Sequence, residues 1–81
     1  MAGNQRVARQ VGAALRRVRK GRRCRQFQLA VSAGISGVQL TRYERGQEQP
    51  SVAALAALLH ALGCSAEEFG KHLGPWGILA A

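Results

Sequence analysis

The 81-residue sequence has few cysteines and no long apolar segment. Its two cysteines, Cys24 and Cys64, are too few for a disulfide framework, so we expect two reduced thiols that pack as small apolar groups. No stretch has the length of a signal peptide or of a membrane span. We therefore expect a cytoplasmic protein with no membrane partner.

Groups that carry out catalysis or bind metals are also scarce. The sequence contains no glycine-rich phosphate loop and no paired carboxylates for acid–base chemistry. His60, Cys64 and His72 are the soft ligands of the last third, but a zinc site needs about four ligands in tetrahedral geometry. A surface histidine and a buried thiol are the simpler interpretation. We expect no enzymatic activity, no metal and no cofactor.

Acidic side chains are few, and positive charge is concentrated near the start of the chain. Twelve arginines and lysines outweigh four glutamates, which gives a net charge of +8. Nine of the cations lie between Arg6 and Arg25, whereas every acidic residue follows Tyr43. This clustering favours a polyanionic partner, because neutralised phosphates release their counterions. The alternative is a solubilising surface, although such surfaces usually mix both signs.

The composition and the spacing of apolar residues predict an all-helical fold of five helices. Alanine, leucine and arginine are abundant, and β-branched residues are scattered. The first three helices are predicted at about 5–20, 26–33 and 36–45, with Asn4 and Ser36 as N-caps of the first and third. Ser51 is predicted to cap a fourth helix, with Val52, Leu55, Leu58, Leu59 and Leu62 on its apolar face. The run 65–68 has the capping-box pattern that opens a short fifth helix, with Phe69 facing inward.

The second and third helices meet the requirements of a helix-turn-helix. Their contact needs small residues and a tight turn, which Ala30, Ala33 and Gly34 supply, while Ile35 and Leu40 lock the third helix in place. The outer face of such a third helix must present groups that bind base edges, and cations near it must bind phosphates.

The run 26–36, followed by 40–46, resembles the Cro/C1-type (XRE) helix-turn-helix family. Residues 12–19 resemble the first helix of that family and residues 50–69 its last two, so the resemblance covers about 11–70. It implies a compact five-helix, lambda-repressor-like domain whose third helix enters the major groove of double-stranded DNA. Residues 1–10 would be a basic segment leading into the first helix, and 71–81 an apolar tail.

The resemblance also implies roles for particular residues. Gln26 would bind a phosphate and brace the third helix, and Arg45 would contact the phosphate backbone of the DNA. The candidates for base contacts are Gly37, Val38, Gln39, Thr41 and Arg42. Arg42 would bind either guanine or a phosphate, and Val38 would favour a thymine methyl group. Arg19 and Glu44 would form a structural ion pair between the first and third helices.

The connector before the second helix departs from the family pattern. Arg25 replaces the usual serine or threonine cap, and Arg23 stands where a glycine is common. A cation at a helix N-terminus opposes the helix dipole. Either Arg22, Arg23 and Arg25 bind phosphates, or the connector is irregular.

The resulting hypothesis is a sequence-specific transcriptional regulator that binds a pseudo-palindromic DNA site as a homodimer. A second hypothesis is a protein-interaction module that binds a partner protein through the apolar tail of Trp76, Ile78 and Leu79. A third is a basic membrane-surface helix at 5–25, but its valines are better used in a core. The family position of Phe27 is often solvent-facing, and its role stays open.

Overall fold

The computed structural model of the protein describes residues 2–74. Its regular elements, within these residues, are five helices listed here in chain order: α1 Ala2–Gly21, α2 Gln26–Ala33, α3 Gly37–Glu44, α4 Val52–Leu62 and α5 Ala66–Lys71. The predicted all-helical, five-helix fold is therefore confirmed. The first helix begins earlier than predicted, because it already includes Asn4 and so leaves that residue no role as an N-cap. Trp76, Ile78 and Leu79 lie outside the described residues.

Serine side chains begin three of the helices, as their positions in the sequence predict. The hydroxyls of Ser36, Ser51 and Ser65 each accept a hydrogen bond of 3.0 Å from a backbone N–H in the first turn. Arg25 precedes α2 and has no side-chain acceptor to offer. The side-chain oxygen of Gln28 accepts instead from the Arg25 backbone N–H at 3.0 Å, which partly compensates for the absent cap.

The core lies where α1 packs against α3 and α5, and where α2 packs against α3 and α4. Its largest fully buried side chains are Leu15, Val18, Leu29, Leu40 and Leu58. Phe69 faces inward as predicted. Val52 was predicted on the apolar face of α4 but is 88% exposed. Helical spacing assigns a residue to a face, but it does not say how far the partner helix extends, and α2 has eight residues against eleven in α4.

The valine stripe of α1 belongs to the core. Val11 and Val18 are buried, and Val7 packs against the core from its edge. The stripe is thus already occupied, which disfavours the membrane-surface hypothesis. Over residues 2–74, the helices are each too short or too polar to cross a bilayer.

The two thiols differ in their surroundings. Cys64 is buried in the core, and this burial raises the pKa of its thiol. Cys24 is half-buried and packs against the same core from the connector. Both therefore lie among apolar side chains, and neither is disulfide-bonded.

Arg22 ties the connector to the far end of the fold. Its Nε donates to the carbonyl oxygen of Leu62 at 3.1 Å, and its Nη2 lies 2.8 Å from the Glu68 carboxylate. Phosphate binding was one interpretation of Arg22, but the structure uses its guanidinium to hold the end of α4 and the start of α5. Glu68, predicted as a cap partner of Ser65, contacts Arg22 with its carboxylate instead.

Arg23 has a backbone conformation that glycine adopts more readily than arginine. With a φ of +55°, it is the one non-glycine residue in the described chain with a left-handed backbone. We expect Arg23→Gly to raise the free energy of unfolding by about 0.5–1 kcal/mol, because relief of the left-handed strain exceeds the entropy that glycine adds to the unfolded chain. The midpoint temperature of thermal unfolding should then rise by roughly 2–8 °C.

The matched control is Lys20→Gly, which places glycine in regular exposed helix three residues earlier. This change should lower the free energy of unfolding by up to about 1 kcal/mol. If Arg23→Gly melts at or below the wild-type temperature, the proposed strain at Arg23 is wrong.

Candidate nucleic-acid interface

The interface begins with the turn that sets α3 across α2. Gly34 ends α2 with a φ of +73°, a left-handed conformation that suits glycine, and only Ile35 and Ser36 separate it from α3. Leu40 lies on the inner face of α3 and is fully buried. The opposite face of α3 therefore remains at the surface.

Gly12 allows α1 and α3 to come into close contact. A Cβ at this position would overlap the carbonyl oxygen of Tyr43 and lie 2.9 Å from that of Glu44. The backbone of α1 thus lies directly against the last turn of α3. In the sequence Gly12 stood out only as part of the family pattern, because helical periodicity treats a glycine as a weak helix residue.

A hydrogen-bonded network then holds three helices together. The Arg19 guanidinium of α1 binds the Glu44 carboxylate of α3 through two bonds, Nε to Oε2 at 2.7 Å and Nη2 to Oε1 at 3.0 Å. Its Nη1 also donates to the Cys24 carbonyl oxygen at 3.0 Å. The side chains of Arg19 and Glu44 are only 11% and 3% exposed, and the hydrogen bonds to Glu44 raise the pKa of Arg19. The structure thus brings together the two residues for which an ion pair was predicted.

Gln26 connects α2 to the same network. Its Nε2 donates to Glu44 Oε1 at 3.1 Å, and its Oε1 accepts from the Thr41 hydroxyl at 3.2 Å. Both ends of the amide are therefore bound to residues of α3, the geometry expected of a side chain that braces this helix. The hydroxyl of Thr41, predicted at a base edge, donates its proton within the protein.

The exposed face of α3 carries the remaining candidates for base contacts. Gly37, Val38 and Arg42 are exposed, and Val38 retains 65% of its accessible surface. Gln39 is half-buried, and its Nε2 donates to Glu48 at 2.9 Å. Helical spacing predicted Val38, Gln39 and Arg42 on the outer face of α3, and the family resemblance added Gly37. Neither could identify the partners that Thr41 and Gln39 find nearby.

A shallow depression of about 410 Å³ lies along this face. The residues around it are Gln26, Phe27, Gly37, Val38, Thr41, Arg42, Arg45 and Gln47. Arg42 and Arg45 are exposed, and neither has an ion-pair partner among the described side chains. Phe27, whose role the sequence left open, lies on the wall of this depression and is 77% exposed.

The positive surface continues from α3 onto α1. A second depression of about 340 Å³ is bordered by both Arg45 and Arg16, and a third of similar volume by Arg16 and Lys20. The sequence showed the charge of this region but gave Arg16 no particular role. Arg16 could have been identified by its spacing of three residues from Arg19, because this spacing puts both side chains on one side of α1. Arg23 and Arg25 are exposed on the connector, outside these three depressions.

The histidines and cysteines do not converge on a common site. His60 is exposed on α4, whereas Cys64 is buried. Across residues 2–74, the structure contains no group of three or more histidine, cysteine or acidic residues arranged to hold a metal ion.

Comparison with known proteins gave matches to a family and to solved structures. The sequence model of the family described as "Helix-turn-helix domain" matches residues 10–70. One structure of the clp gene regulator ClgR from Corynebacterium glutamicum is 31% identical, with a TM-score of 0.79 over 83% of this chain and 86% of that chain. A second ClgR structure is 30% identical, with a TM-score of 0.82 over 91% of this chain and 79% of that chain. No curated protein matches.

Proposed function

Because the chain belongs to the helix-turn-helix domain family, we propose that it is a transcriptional regulator that binds double-stranded DNA through α3 in the major groove. The observation that carries this proposal is the exposed, cationic face of α3, which part-buried hydrogen bonds from Arg19 of α1 and Gln26 of α2 hold in place. The similar structures are those of a clp gene regulator. DNA binding also fits the predicted location in the cytoplasm.

Base contacts are assigned first to the residues that α3 leaves exposed. Arg42 suits a bidentate pair with O6 and N7 of guanine, a contact that discriminates by about 1–3 kcal/mol. Val38 suits a thymine methyl group, and Gly37 permits close approach of the backbone. Thr41 and Gln39 are secondary candidates, because each already donates a hydrogen bond inside the protein.

Phosphate contacts are assigned to the cations beside α3. Arg45 lies at the C-terminal end of this helix, and Arg16 extends the positive surface along α1. Arg23 and Arg25, on the connector before α2, would bind further phosphates of the DNA backbone. One N–H of the Gln26 amide binds Glu44, which leaves the second N–H for a phosphate while the side chain braces α3.

The proposed form on DNA is a homodimer on a pseudo-palindromic site. Two-fold symmetry would place the two copies of α3 in successive major grooves, roughly 34–36 Å apart. Selection of bound duplexes from a random pool, at about physiological salt, tests this. We expect a motif with two-fold symmetry, whereas enrichment without any motif would contradict sequence-specific binding and leave only nonspecific attraction by the +8 charge.

Arg42 within α3 and Arg45 at its C-cap provide a matched test of base against phosphate contacts. Arg42→Ala should relax the preference at one base position, at a cost of about 1–3 kcal/mol on the selected duplex. Arg45→Ala should weaken all duplexes alike and reduce the slope of log K against log salt by about 0.9. Binding titrations on the selected and scrambled duplexes, at several salt concentrations, measure both effects. Equal losses on the two duplexes for Arg42→Ala would exclude base contact by Arg42.

A further inference from the structure

Among the large apolar side chains that the structure leaves exposed, two lie together beside the face of α3. Among the side chains that the structure describes, this set consists of Phe27, Val31, Val38 and Val52. Only Phe27 of α2 and Val38 of α3 border the 410 Å³ depression. Phe27 retains 77% of its accessible surface, so its ring is not part of the core. The stability of the fold does not account for a phenyl ring at this position.

The rest of the depression indicates what the ring would contact. Its border contains no acidic residue, and it carries the two guanidinium groups of Arg42 and Arg45. An occupant must therefore offer a small apolar group close to negative charge. The major groove of DNA has this combination at a thymine, whose 5-methyl group lies between the phosphate backbones.

We propose that Phe27 and Val38 together form a binding site for the 5-methyl group of a thymine, so that α2 as well as α3 contributes to base recognition. The inference rests on the proposed function and extends it to the sequence of the DNA site. The methyl group would pack between the phenyl ring and the valine, while Arg42 and Arg45 bind the polar groups around it. Each half-site must then contain at least one thymine next to the contact of Arg42.

Deoxyuridine provides a probe that removes only the methyl group. The selected duplex is compared with duplexes in which each thymine in turn is replaced by deoxyuridine. At one thymine of the half-site, the wild-type chain should bind the deoxyuridine duplex roughly fourfold more weakly, as expected for one buried apolar carbon. For Phe27→Ala, the thymine duplex should bind more weakly, and the difference between the two duplexes should fall below about twofold.

Val31→Ala is the matched control. Val31 is also exposed and lies one turn further along α2, but it does not border the depression. This variant should keep the wild-type affinity and the fourfold effect of deoxyuridine. Both side chains are exposed, so thermal unfolding of both variants should stay close to that of the wild type.

The possible failures are distinguishable. A random pool that yields no motif contradicts the proposed function, and the thymine site with it. A motif that lacks thymine in the half-site, or Phe27→Ala with unchanged affinity and unchanged sensitivity to deoxyuridine, overturns the thymine site alone. The same holds if Phe27→Ala changes only the sedimentation coefficient, because the ring would then serve contact between protein chains.

Discussion

Replacing Gly12 with alanine is expected to lower the free energy of unfolding by about 3 kcal/mol, the upper part of the range for overpacking. The added methyl group would overlap the Tyr43 carbonyl oxygen and crowd that of Glu44. Both atoms belong to the backbone of α3 and cannot move aside as a flexible side chain can. The helices must separate, which also displaces the hydrogen bonds between Arg19 and Glu44. Chemical denaturation measures the loss.

The control for this prediction lies in the same helix. At Gly21 an added Cβ meets no atom within 4 Å, so Gly21→Ala should leave the stability unchanged or raise it by up to about 1 kcal/mol through helix propensity. The opposite signs matter, because alanine is the better helix former at both positions. If Gly12→Ala is as stable as the wild type, α1 and α3 are not in backbone contact.

Replacing Glu44 with alanine is the second change for which we expect a large effect. It should cost about 3–5 kcal/mol, because it leaves the Arg19 guanidinium largely buried without its counter-charge. The Gln26 amide would also lose an acceptor, so α3 would lose its connections to α1 and α2 at the same point. DNA affinity should fall with stability, and most of it should return at low temperature where the variant is folded.

Glu68 provides the matched control, since it also pairs with an arginine. The side chains of Arg22 and Glu68 are 34% and 39% exposed, so their attraction is screened by water. Glu68→Ala should therefore cost only about 0–1 kcal/mol. If Glu44→Ala and Glu68→Ala lower the free energy of unfolding by similar amounts, burial of the Arg19–Glu44 pair does not set its contribution to stability. Replacing both Arg19 and Glu44 with leucine should be milder than Glu44→Ala, because no buried charge is left alone.

Much of the fold followed from short stretches of sequence. The serine caps at 36, 51 and 65 and the glycine turn after α2 depend on a few neighbouring residues, and the structure contains all of them. Where prediction went wrong, the reason was the extent of contact with a distant helix. Val52 has the correct spacing for the core but lies on a first turn that remains exposed.

The candidate site was less accessible to such reasoning. The spacing of residues 37–42 located the outer face of α3, and the resemblance to a family suggested the roles of Gln26, Arg19 and Glu44. Neither the spacing nor the resemblance could show that Thr41 and Gln39 would donate hydrogen bonds to neighbouring side chains. They also could not show that Arg16 and Phe27 would lie beside this face. Those contacts join residues of different helices, or α3 and the loop that follows it. A local sequence pattern does not determine the relative positions of such elements.

Local sequence was thus sufficient for the identity and order of the helices, the turn between α2 and α3, and the strongly basic character of the chain. These properties arise from backbone propensity, capping and charge, which act over a few residues or simply add up. Tertiary packing assigned the role of each polar side chain. Glu44 became a buried anchor because Gly12 lets α1 come close to α3. Arg42 stayed at the surface because it lies on the face of α3 opposite the buried Leu40.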